Sequence, residues 1–166
     1  MKYKEQRLQK NAELRRTIDI LMAEGDFFLK QNLGNLEVSD YRYDINEAIN
    51  ELCLDEEVIR QLIEDYIIQI LKSKITFYKY IYELKKDELE NKVLDYTNIR
   101  NLAHKNLGVV RNLRIKDAQI ILEVIMEKDD LDYLRLCVKA LEISAVKLNP
   151  ICAYETLKLI EVKNSL

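Results

Sequence analysis

The sequence predicts an all-α protein: an antiparallel up-down four-helix bundle with additional N-terminal helices and a short C-terminal helix. Three observations carry that expectation. Only three Gly and one Pro occur among 166 residues, too few turn residues for a sandwich or a barrel. Hydrophobic residues make up 48% and charged residues 33% of the chain, enough apolar material for one core and enough charge to surround it. Apolar positions then recur at steps of three and four through most of the length, the period of helices with one buried side.

Each element follows from its own residues. Leu14, Ile18, Leu21 and Met22 set a first helix between Lys2 and Asn32, with a soft interruption expected at Gly25-Asp26 and a short continuation through Phe27, Phe28 and Leu29. Gly34, Ser39 and Asp40 break the period, so Asn35 to Asp44 reads as a connector, and Asp44 is placed to cap a short helix ending at Leu52. Asp55, followed by Glu56-Glu57, opens a long pattern of Ile59, Leu62, Ile63, Tyr66, Ile70, Phe77, Ile81 and Leu84, either one helix or two joined near Ser73. The charge-rich stretch from Lys85 to Asp95 reads as a helix end and turn, after which Thr97 or Asp95 caps a helix reaching Arg114. Asp117 opens the next, with Ala118, Ile121, Leu122 and Ile125 on one side, and Asp129-Asp130 marks the exit. Leu131, Leu134, Val138, Leu141, Ala145 and Leu148 form a bundle seam. Asn149-Pro150 closes that helix and starts the last, with Pro at the tolerated first position. Residues 1–44 are expected to be a helical extension and residues 45–166 the bundle.

Composition also narrows the chemistry. A net charge of −3, with the basic pair Arg15-Arg16 balanced by nearby acids, gives no reason to expect nucleic acid. The single histidine, His104, excludes a multi-histidine zinc site within one chain and any triad needing a second imidazole. Cys53, Cys137 and Cys152 are odd in number and form no C-x-x-C pair, which fits a reducing cytoplasm better than a disulfide framework. The N-terminal residues lack the apolar stretch of a signal peptide, and no run approaches the roughly 20 apolar residues of a membrane span, so a cytoplasmic protein without a membrane partner is expected.

His104 draws attention by direction. With His104 at 0° on a helical wheel, Leu102, Leu113 and Val109 fall at about 160°, 180° and 140°, and Ile99 and Val110 at about 220° and 240°. The imidazole points away from that stripe. Arg100 and Arg111, at about −40° and −20°, flank it, and Gly108 lies at about 40°, one turn on. A mid-helix Gly costs about 1 kcal/mol relative to Ala, and here it clears the surface beside the imidazole. Two guanidinium groups would attract a phosphoryl group and stabilise its oxygens.

The run Leu102-Ala103-His104-Lys105-Asn106-Leu107-Gly108-Val109-Val110-Arg111-Asn112-Leu113 resembles the motif of the histidine-containing phosphotransfer (HPt) domain, roughly A-H-x-L-K-G-x-x-x-x-L-G. Ala103, His104, Gly108 and Leu113 match. Leu54 to Tyr66 is similar to the family's opening helix and Ala118 to Leu148 to its closing hairpin, so the resemblance covers Asp55 to Leu148. The family's Lys three residues after the histidine is Leu107 here, its apolar residue two after is Asn106, and Arg114 stands where a Gly often ends the helix. Arg100, Arg111 or Lys105 would then supply the missing cation.

The resemblance implies that His104 accepts a phosphoryl group from a phospho-aspartate on a receiver domain of a response regulator or hybrid kinase and passes it to another receiver. An imidazole is substantially neutral at cytoplasmic pH, so no second base is needed. Family logic puts Mg²⁺ and the remaining catalytic groups on the receiver. This chain would carry no cofactor and act as a phosphocarrier rather than an autonomous kinase. Gly108 and Leu107 would contact the docked receiver, with Arg100, Arg111 and Lys105 around the phosphoacceptor. The alternative from another class is a degenerate bundle that binds a receiver or other protein without phosphoryl transfer, favoured by Asn106 and Leu107. A third expectation is a scaffold whose N-terminal helix pairs with a second copy to give a homodimer.

Overall fold

The computed structural model describes residues 2–165, which form seven α-helices and no strand. Helix α1 spans Lys2–Leu33, and a 3-10 turn at Gly34–Leu36 leads into an irregular strap. The strap is followed by α2 (Ile45–Leu52), α3 (Glu56–Leu89), α4 (Thr97–Leu113), α5 (Lys116–Glu127), α6 (Leu131–Leu148) and α7 (Pro150–Ser165). Among the described residues no helix is long and apolar enough to cross a membrane.

The starts follow local chemistry. Asp44 accepts from the Asn46 amide at 3.0 Å, and Asp130 from the Asp132 and Tyr133 amides at 3.0 and 3.2 Å, each satisfying donors that a helix N-terminus leaves open. Asn149 does the same for the Cys152 amide at 3.2 Å, with Pro150 as first residue of α7. Asp117, expected to open α5, is its second residue and is buried. Burial pushes its carboxyl above the usual carboxylate range, with a smaller opposing effect from hydrogen bonding. The C-terminal ends show the scarcity of glycine. Cys53 after α2 and Arg114 after α4 take the left-handed conformation, at φ 53° and 60°, and so do Glu37 and Asn91 at φ 56° and 57°. Glycine adopts that geometry at least cost.

Two corrections concern α1 and α7. The interruption expected at Gly25-Asp26 is absent and α1 is continuous. Gly25 is there for packing. It is buried, and a Cβ on it would lie 2.8 Å from Cγ2 of Ile143 on α6. Gly25→Ala therefore gains about 1 kcal/mol of helix propensity but forces a stiff β-branched side chain or α1 itself to move. We expect a net loss of about 1 kcal/mol in denaturant melts, reversed to a gain in an Ile143→Ala background. The last helix, expected to be short, has 16 residues against 12 in α5.

Around α3 the helices share one buried cluster. α3 packs on α2, α4, α6 and α7, α4 packs on α5, α5 on α6, and α1 on α6 and α7. The core includes Ile59, Tyr66, Ile67, Phe77, Ile99, Val110, Ile121, Leu134 and Val138, together with Leu29, Leu33 and Val38 from the N-terminal segment. Leu62 and Leu148, expected inside, are exposed and half-buried respectively. Ion pairs fix helix directions: Lys74–Glu142 at 2.9 Å and Lys85–Asp132 at 2.8 Å run α3 against α6 in opposite senses. Lys147, nearly buried, donates to the Ser39 carbonyl at 2.8 Å and faces Asp26 at 3.2 Å, tying α1 and the strap to α6.

The strap also closes α4. Tyr43 donates to the Leu113 carbonyl at 2.6 Å, and Tyr41 donates to the Arg114 carbonyl and accepts from the Lys116 amide, both at 3.2 Å. Helix-end carbonyls that would otherwise lack partners are thereby satisfied. Burial, with smaller contributions from nearby acidic groups, pushes the Tyr43 phenol up to about 12 from 10.0. The folded value lies above the unfolded one, so this group's contribution is complete below pH 10.0 and is lost as pH rises towards about 12. We expect Tyr43→Phe to cost about 1 kcal/mol at neutral pH and to lose stability less steeply than the parent across that alkaline window, as read from denaturant midpoints.

Candidate functional site around His104

α4 begins where Asp95 accepts from the Thr97 amide at 3.0 Å and from the Thr97 hydroxyl, bonds that hold its carboxyl below the usual carboxylate range. His104 lies near the middle of this helix of 17 residues and is exposed. Its outward direction is as the periodicity predicts. The buried arc differs in detail, comprising Ile99, Ala103, Asn106, Leu107, Val110 and Leu113, while Leu102 and Val109 are half-buried. It therefore runs from about 180° to about 300° on the wheel, whereas the apolar residues singled out from the sequence span about 140° to 240°. α4 packs against both α3 and α5 and is touched by α2, so it is covered from more than one side.

That shift corrects one assignment. Leu107, expected to touch a docked partner, is 2% exposed and belongs to the core. Asn106 is fully buried, as its place in the stripe requires, and finds partners: its amide donates to the Leu102 carbonyl at 2.9 Å and its oxygen accepts from Gln69 of α3 at 3.4 Å. A buried amide with both ends bonded avoids the penalty of an orphaned polar group.

Gly108 is exposed, and a Cβ built on it would meet nothing within 4 Å. The surface beside His104 is bare backbone. Lys105 is exposed next to it. Arg100 and Arg111 flank the imidazole along the helix but are not idle. Arg100 donates to Asp129 at 2.7 Å and lies over the Tyr96 ring at 5.1 Å, while the Tyr96 hydroxyl donates to the Asp129 carbonyl at 2.6 Å. Arg111 donates to Glu123 at 3.2 Å. The two guanidinium groups expected to stand free for a phosphoryl group are thus paired with carboxylates on α5 and the turn after it.

Asp129, Glu123, Tyr96 and Gln69 are the residues that sequence reasoning missed. Asp129 carried only a turn signal, and Tyr96 lies at the end of the charge-rich connector before α4 with no motif of its own. Glu123 and Gln69 carried none, because their relation to α4 depends on how neighbouring helices run. The three cysteines are free thiols, with Cys137 buried and raised to about 12 by desolvation. No family model, curated protein or solved structure matches the chain.

Proposed function

We propose that the chain is a histidine phosphotransfer protein, with α3, α4, α5 and α6 as an antiparallel up-down four-helix bundle and His104 as phosphoacceptor. The cyclic packing of these four helices, each on the next and α6 back on α3, supports the bundle. The observation that carries the function is an exposed imidazole in mid-helix with bare backbone one turn on. An imidazole nitrogen attacks the phosphorus of a receiver's phospho-aspartate, the P–O bond to the carboxylate breaks, and the same exchange in reverse loads a second receiver. Arg100, Lys105 and Arg111 supply positive charge around the transferred group, and Gly108 admits the partner closely. Incubation with a phosphorylated receiver is expected to give an acid-labile phosphoprotein, and absence of label refutes the relay.

The second reading, an adaptor that binds a receiver without phosphoryl transfer, is favoured by buried Leu107 at the family's Lys position and by the pairing of both arginines. Receiver binding with no label, unaffected by His104→Gln, would select it.

A further inference from the structure

Building on the phosphoacceptor reading of His104, we infer that Glu123 is a releasable counter-ion that holds Arg111 away from an anion seat beside His104. The seat is the bare stretch of α4 between these two residues. His104 and Arg111 lie two turns apart on nearly the same side of the helix, and Gly108 sits between them with no atom within 4 Å of where a Cβ would be. A phosphoryl group lowered onto that gap meets the imidazole at one end and, once Arg111 turns, a guanidinium at the other.

The resting contacts differ on the two sides of His104. Arg100 is fixed by the carboxylate of Asp129 at 2.7 Å and by the ring of Tyr96, whose own hydroxyl is anchored on the Asp129 carbonyl. Arg111 has one bond, at 3.2 Å, to a Glu123 oxygen that also accepts from Gln119 at 3.1 Å. Exposure does not separate the two pairs, at 39% and 74% for Arg100–Asp129 and 51% and 40% for Arg111–Glu123. What separates them is that Arg100 has the shorter bond and also rests on the Tyr96 ring, whereas Arg111–Glu123 is a single longer contact. Such a pair is weak and screened by salt, so an arriving dianion outcompetes the carboxylate for the guanidinium. Arg100 is the fixed cation and Arg111 the mobile one.

Inorganic phosphate titrated at pH 7 and low ionic strength, followed through the NMR signals of the chain's single imidazole, tests the assignment without depending on phosphotransfer. Glu123→Gln is expected to bind phosphate about two- to fivefold more tightly than the parent, the range set by an exposed ion pair, with the difference vanishing in high salt. Arg111→Ala should bind more weakly, and adding Glu123→Gln to it should restore nothing. Equal affinity of parent and Glu123→Gln, no phosphate-dependent shift in either, or a gain that survives in Arg111→Ala overturns the inference. A preserved Glu123 effect without labelling by a receiver removes the relay and keeps the seat, whereas labelling without a Glu123 effect does the reverse.

Discussion

Replacing His104 with Gln is expected to abolish acid-labile phosphorylation completely while leaving helical content unchanged and the melting temperature within a few degrees of the parent. Loss should be total because the chain has no second histidine and a carboxamide offers no ring nitrogen to attack phosphorus. The fold should survive because the side chain is exposed and lies outside the buried cluster, and substitutions at such positions change stability little. The measurement is transfer of label from a phosphorylated receiver, with acid and alkaline lability compared and circular dichroism melts run in parallel. Label of undiminished acid lability on the Gln variant would put the phosphate elsewhere and end the case for His104.

The second large effect lies two residues away and faces inward. Asn106→Asp is expected to destabilise the protein by about 3 kcal/mol at neutral pH. The change removes the side-chain donor to the Leu102 carbonyl and sets a carboxylate oxygen against it, in a site that is 0% exposed. Gln69, at 3.4 Å, is a neutral donor and offers no compensating charge. Burial raises a carboxyl's folded pKa above its unfolded value. The ionisation penalty is therefore absent at acid pH, where both states are protonated, and grows as pH rises through the unfolded and then the folded value. Urea midpoints should bring variant and parent closer at about pH 4 than at pH 7. A deficit independent of pH would assign the effect to the lost hydrogen bond instead.

The legible parts of this molecule were those written in neighbouring residues. Asp44 and Asn149-Pro150 mark helix starts through side chains that reach amides two or three positions on, and the structure uses each in that way. Asp130, legible only as the exit from α5, proves to cap α6 as well. His104 pointed outward because the period of α4 fixes the direction of every side chain from the apolar ones. What stayed hidden depended on distant segments. Gly25-Asp26 looked like a break because glycine weakens an isolated helix, and only the approach of Ile143 gives it a packing role. Leu107 looked available because a single stripe was drawn, whereas contacts with both α3 and α5 widen the buried arc until it includes that residue. Arg100 and Arg111 were visible as charges, but their partners Asp129 and Glu123 sit 29 and 12 residues further along the chain. No local pattern announces such a pairing.

The same shortage of flexible residues that marks this chain as helical leaves it with an unspent reserve. Glu37, Cys53, Asn91 and Arg114 hold backbone angles that an L side chain resists, at a cost of about 1 kcal/mol each. Glu37, Cys53 and Arg114 cap the 3-10 turn, α2 and α4, and Asn91 follows α3. An engineer wanting a hardier version for crystal growth or long spectroscopic runs could install glycine there, expecting roughly 2–4 °C per site, and leave the chemistry of the imidazole untouched.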